Sequence, residues 1–216
     1  MTDQPMSYGG AFHVPEIDDD TLGIETDAAA RALTEPGLPK HAAAAHWRNL
    51  LQMGLIHPYS RRRAGRRAWL FRADQVVIAA VLHRLGEIGL ENPGLRQAVS
   101  LALNTWRADD IGRTEDDIQS GAPFPDVPRS PAMFAMVEYL RGARNLAFEV
   151  RTLRCQKSGQ IAYACRVTNA EGHGSRFAPQ PDSYVIRSSL LIGLDDLLAH
   201  ICRAKHTHQP TSGVAN

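Results

Sequence analysis

Five arginines stand within seven residues in the run Arg61-Arg62-Arg63-Ala64-Gly65-Arg66-Arg67. Guanidinium groups at this density repel one another, and a fold gains little by holding them together unless an anion accepts their hydrogen bonds. The bland alternative is a solvated loop whose charges keep a strand edge from aggregating. Arginine's planar fork of donors suits phosphate oxygens and guanine edges better than mere solubility requires. Two short β-prone stretches flank the run, Leu55-Ile56-His57-Pro58-Tyr59 and Ala68-Trp69-Leu70-Phe71, and Gly65 lies near its tip. Residues 60–67 are therefore expected to turn a hairpin. Just upstream, Ala43, Trp47, Leu50 and Leu51 recur at helical spacing. That inward stripe leaves Lys40, His41, Ala45 and Arg48 nearer the surface of a helix over residues 40–53.

Other chemistries find less support. Cys155, Cys165, His200 and Cys202 are the only set that invites a zinc ion, and no Cys-x-x-Cys knuckle joins them. Alternating strand positions bring cysteines into cores routinely. Ser188-Ser189 and the scattered histidines form no nucleophile elbow or triad, and no glycine loop follows a strand to cradle phosphate. The expectation is no metal, no cofactor and no enzymatic activity. Three cysteines fit a reducing compartment better than a disulfide framework. Met1-Thr2-Asp3-Gln4-Pro5 lacks the basic and then apolar layout of a signal peptide, and no window nears eighteen apolar residues. A cytoplasmic protein without a membrane partner is expected.

The elements that position the basic residues come next. A hydrophobic content of 44% against 22% charged residues argues against wholesale disorder in the 216-residue chain. The net charge of +1 hides a sharp partition. Residues 1–39 hold eight acids and one base, whereas residues 40–107 hold eleven bases and three acids. The net then falls to −4 over residues 108–150 and returns to +4 over residues 151–216. A basic module between acidic segments points to nucleic acid or an anionic surface as partner.

An acidic lead-in over residues 1–23 precedes a mostly helical unit over residues 24–106. Thr26 reads as the cap of a short alanine-rich helix, residues 34–39 as a turn, and Gly54 as the residue that ends helix 40–53. Asp74 is expected to cap a helix through Val77, Val81, Leu85 and Ile88, and Asn92-Pro93 to open another through Leu95, Val99, Leu103 and Trp106. Trp47, Trp69 and Phe71 read as core. Residues 107–129, acidic and proline-containing, read as a linker. Residues 130–205 then read as a small α+β unit with an antiparallel sheet. Ser130-Pro131 opens its first helix, Lys157-Ser158-Gly159 turns between two strands, and Leu194, Leu197, Leu198 and Ile201 mark a closing helix. Residues 206–216 form a polar tail. The fold class is α+β.

The first unit resembles the MerR-type winged helix-turn-helix DNA-binding domain. Trp47-Arg48-Asn49-Leu50 stands where that family has an Arg-aromatic stretch, and Gly54-Leu55-Ile56-His57-Pro58 matches its Gly-Leu-Leu-x-Pro step. Arg67-Ala68-Trp69 matches its Arg-x-aromatic, Asp74-Gln75-Val76 its next helix opening, and Leu85-Gly86-Glu87-Ile88-Gly89-Leu90 that helix's end. The likeness covers residues 24–106, under half the chain. The family's Tyr-Tyr-Glu after the arginine is absent, and its long dimerising helix is replaced by fourteen residues from Pro93 to Trp106. No cysteine lies here, so the family's metal sensing does not carry over.

The resemblance implies that helix 40–53 enters the major groove of double-stranded DNA. Lys40 and Arg48 would reach phosphates or guanine, His41 would donate to a base edge, and Ala45 would pack on a thymine methyl. Arg61, Arg62, Arg63, Arg66 and Arg67 would form a wing on the backbone or in the minor groove. The expected function is a sequence-specific transcription regulator, a homodimer through residues 130–205, with RNA polymerase or another regulatory protein as a further partner. The alternative is an architectural or adaptor protein of the excisionase or DNA-packaging type.

Overall fold

The computed structural model describes residues 24–33, 40–61, 69–111, 128–169, 172 and 174–206. It is mixed helix and sheet, of the α+β class. Strand β1 (Ile24–Glu25) leads into helix α1 (Thr26–Ala32), and helix α2 (Lys40–Gln52) follows. Thr26 lies inside the first turn of α1 rather than before it. Gly54 takes φ +66 just past α2, a left-handed conformation that glycine adopts without strain. Strands β2 (Ser60–Arg61) and β3 (Trp69–Phe71) pair antiparallel, and β1 pairs with the other side of β3.

Helix α3 (Ala73–Glu87) is buried along most of its length. Its sequence expectation needs one correction. Arg72, not Asp74, occupies the N-cap position, and no side chain caps that end. Asp74 sits in the first turn, only 4% exposed, where its Oδ2 accepts a 2.9 Å hydrogen bond from the Ser130 hydroxyl. The side chain that looked like a local cap is a long-range tie instead. Helix α4 (Pro93–Asn104) does begin as its sequence implies, with Asn92 Oδ1 accepting from the Leu95 N–H and proline in the first turn.

Helix α5 (Pro131–Leu140) starts in the same manner, Ser130 Oγ accepting from the Met133 N–H. Strands β4 (Ala147–Cys155), β5 (Ile161–Thr168) and β6 (Tyr184–Gly193) form a second antiparallel sheet in the order β5-β4-β6, and helix α6 (Asp195–His206) closes the chain's described part. The two apolar runs at 184–186 and 190–192 belong to one strand, because Ser188 and Ser189 continue the ladder opposite Thr152 and Arg151. Gly174 makes a bridge to Thr168 that no other residue permits, since an added Cβ would lie 2.2 Å from the Val167 carbonyl oxygen.

Helices α3 and α4 pack against elements that precede and follow them in the chain. One continuous apolar core joins Trp47, Phe71, Val77 and Leu82 to Phe148, Val167, Leu194 and Leu198. At the described edges of the 107–129 stretch, Trp106 Nε1 donates to the Pro128 carbonyl and Arg107 to the Phe177 carbonyl. The Arg176 N–H donates to Asp110 Oδ1. Residues 112–127, with most of the acidic run read as linker, lie outside the described residues.

Candidate nucleic-acid interface

Alanines at positions 42–45 give α2 a strong helical start, and its buried stripe fixes which way it rolls. Ala43, Trp47 and Leu50 are buried and Leu51 is half-buried. The indole of Trp47 meets Phe71 of β3 edge to face, with ring centroids 4.9 Å apart, a geometry the aromatic quadrupoles favour. Trp69 is half-buried against the same core. With that side locked, His41, Ala45, Arg48 and Gln52 line one exposed stripe, and Asn49 lies beside it. Arg48 is extended along its own helix, its Nε donating to the Ala44 carbonyl at 3.2 Å. Lys40 is the first residue of α2; its side chain lies outside what is described.

The β2–β3 ladder carries the approach to the arginine run. Ser60 pairs with Leu70 and Arg61 with Trp69, and the Tyr59 N–H donates to the Leu70 carbonyl at 3.0 Å. Arg61 is thus placed by backbone pairing, while Arg62, Arg63, Arg66 and Arg67 lie outside the described residues. The guanidinium of Arg72 sits 5.1 Å from the Tyr59 ring centroid, at the base of the same ladder.

A polar chain holds the segment between α2 and β2 in place. Gln75, nearly buried, accepts from the His57 N–H at 2.8 Å and donates to Asn104 Oδ1 at 2.7 Å. Asn104 Nδ2 donates to the carbonyl and the hydroxyl oxygens of Ser100, whose hydroxyl donates to the Leu55 carbonyl at 2.6 Å. Satisfied at each step, such a chain fixes direction as apolar contact cannot. The exit from α2 is tied to the start of α3 and the end of α4.

The charges around the helices are also sorted. Of the block's three acids, Glu87 engages His83 and Arg84 (3.6 and 3.4 Å), Glu91 engages Arg96 (3.2 Å), and Asp74 is buried against Ser130. Inside the α2–α3 contact, the His46 and His83 rings are 5.1 Å apart. Burial first, then the neighbouring His83, pushes the His46 pKa below its usual value, and its Nε2 has no hydrogen-bond partner.

Three further side chains belong with those the sequence singled out. Asn49 and Gln52 fall on the exposed side of α2, and Arg72 at the foot of the ladder. The helical spacing of 41, 45, 48 and 52 carried the signal for Gln52; only the Tyr59 contact reveals Arg72.

On the second sheet, Glu149 binds Arg151 Nε (3.0 Å), Arg166 Nη2 (2.7 Å) and the Ser189 hydroxyl (2.8 Å). Burial works to raise this carboxyl, but those hydrogen bonds outweigh it and hold the group below its ordinary pKa. Phe177 lies under both guanidiniums, 3.8 Å from Arg151 and 4.6 Å from Arg166. Each charge here is answered within the fold. The Cys155 thiol is drawn down to about 7 by hydrogen bonds from the Ser158 hydroxyl and the Ser158 and Lys157 backbone, whereas burial lifts Cys165 to about 12. Among the described residues no cluster of His, Cys, Asp or Glu could hold a metal ion, and no helix is long and apolar enough to cross a membrane.

Compared with protein-family models, curated proteins and solved structures, the chain matches none.

Proposed function

We propose that this chain is a sequence-specific regulator that binds double-stranded DNA, laying α2 in the major groove and the arginines at 61–67 along the backbone or minor groove. The observation that carries this reading is the sorting of charge in the 40–107 block. Its three acids are engaged by His83, Arg84, Arg96 and Ser130, none of which lies on α2 or in the arginine run. On its own account α2 offers an exposed stripe of His41, Ala45, Arg48 and Gln52 on a helix locked by Trp47. Arg48 reads guanine O6/N7, Asn49 and Gln52 suit adenine N6/N7, and Ala45 packs on a thymine methyl. Arg61, Arg62, Arg63, Arg66 and Arg67 neutralise phosphates, and Lys40 adds a contact at the helix start. One small reader supplies modest affinity, so the regulator works as a homodimer through residues 130–205.

The test is fluorescence anisotropy on preferred and scrambled duplexes across a salt series. Each neutralised phosphate contributes about 0.9 to the slope of log affinity against log salt. Changing Arg61, Arg62 and Arg63 together to alanine is expected to flatten that slope by about two and to weaken both duplexes alike. An unchanged slope returns the run to a solvated loop.

An adaptor of nucleoprotein assembly is the second reading. It is favoured by α4, which is only twelve residues long and packs into the core instead of projecting as a dimerising helix. An adaptor binds clustered repeats and bends them; a regulator binds isolated promoter-proximal sites.

A further inference from the structure

The dimer required by the proposed function has a surface waiting for it at the edge of the second sheet. β6 is an edge strand of ten residues, and among the described residues no strand pairs with its outer side. Ile186 and Leu191 stand 56% and 64% exposed on it, unusual for large aliphatic side chains on a strand. A long open edge of this kind is a template for another extended chain.

The ladder with β4 says which chain fits. Ser188 pairs with Thr152 and Ile186 with Leu153, so Arg187 is one extra residue in β6, a bulge. The extra residue shifts the alternation of faces by one. Tyr184, Ile186, Ser189 and Leu191 share the face of Glu149 and Arg151, away from the helices, while Val185, Ser188, Leu190 and Ile192 share the other. Antiparallel strands set residues of a common face opposite one another. A straight partner strand crosses Arg187 only by leaving that residue without an opposite number, as β4 does between Thr152 and Leu153. A second β6, carrying the same bulge, pairs residue for residue through it.

We propose that β6 pairs antiparallel with the β6 of a second copy, about a two-fold axis between Arg187 and Ser188, to make one six-stranded sheet. In that register Tyr184 lies opposite the partner's Leu191, Val185 opposite the partner's Leu190, and Ile186 opposite the partner's Ser189. Without the bulge the same register would set unlike faces together. The exposed Ile186 and Leu191 are then covered at the seam, with Leu191 diagonal to the partner's Ile186 and within reach of it. Arg187 lies immediately next to the axis, beside the partner's Arg187, so this pair opposes association and salt relieves it.

This inference rests on the dimer of the proposed function, and its test uses no DNA. Light scattering and sedimentation on the full chain measure association across micromolar concentrations. The wild type is expected to dimerise, more tightly at high salt. Leu191→Lys, an exposed position, weakens association about tenfold or more, and Arg187→Gln strengthens it severalfold. A wild type that stays monomeric overturns the interface, as does a dimer indifferent to Leu191→Lys. An unchanged or weakened Arg187→Gln dimer overturns the axis position. A monomer that binds DNA specifically leaves the DNA reading standing while removing this interface, and a dimer without DNA binding does the reverse.

Discussion

Replacing Gln75 with leucine tests whether the polar chain from His57 to Ser100 positions the α2 exit. Leucine fills nearly the same volume, so the cavity contribution is small and the loss is that of two hydrogen bonds, to the His57 N–H and to Asn104 Oδ1. Each orphaned group costs about 1–3 kcal/mol when fully buried. His57 is exposed and Asn104 half-buried, so water recovers part of both, leaving about 2 kcal/mol. For a chain of this size that lowers Tm by about 4–8 °C. Asn104→Leu breaks the same bond from the other end. The double variant is therefore expected to fall short of the sum by about 1 kcal/mol, the signature of a shared contact. Urea unfolding followed by circular dichroism supplies the four stabilities of the cycle. Strictly additive losses would refute the chain as a unit. DNA binding adds the functional arm: with α2 and the ladder no longer held in one relation, affinity for a preferred duplex drops more than for a scrambled one. Equal drops would reduce the chain to ordinary stability.

Arg48→Ala is expected to lose roughly 1–3 kcal/mol on the preferred duplex and far less on a scrambled one; equal losses in anisotropy would move Arg48 from base reading to backbone contact. Trp47→Ala empties the centre of the α2 packing, so unfolding free energy should fall by about 3–5 kcal/mol, and a loss under 1 would contradict the buried, edge-to-face placement. His46 is held below its ordinary value of 6.5 by burial and by His83 and Arg96, against the opposing pull of Glu91 and the Ala79 carbonyl. The unfolded chain therefore takes up that proton first as pH falls, so stability declines from about pH 6.5 downward until the folded group also protonates, and His46→Gln should remove that part of the slope in thermal melts.

How much of this was legible in the chain depended on how local each determinant is. The Trp47 stripe, the Asn92-Pro93 and Ser130-Pro131 helix starts and the glycine after α2 are decided within four or five residues, and the pattern alone located them. Asp74 misled for an instructive reason. Its type and place match a cap, but the Ser130 hydroxyl lies 56 positions away and competes for the same carboxylate, and no local rule sees that far. The β6 bulge is equally invisible, since Arg187 reads as one of three polar residues between two apolar runs until the β4 partners are counted off.

The candidate site divides along the same line. Which side chains are basic and which face of α2 is free follow from composition and period. That the block's own acids are engaged on α3 and α4 follows only from where Glu87, Glu91 and Asp74 spend their oxygens. The sum over residues 40–107 would be the same had those acids faced the run. What gives the charge a direction is α3 and α4, which turn two of the three acids toward their own His83, Arg84 and Arg96 and bury the third. In this chain the helices that fill the core also keep acids away from the face proposed to meet phosphate.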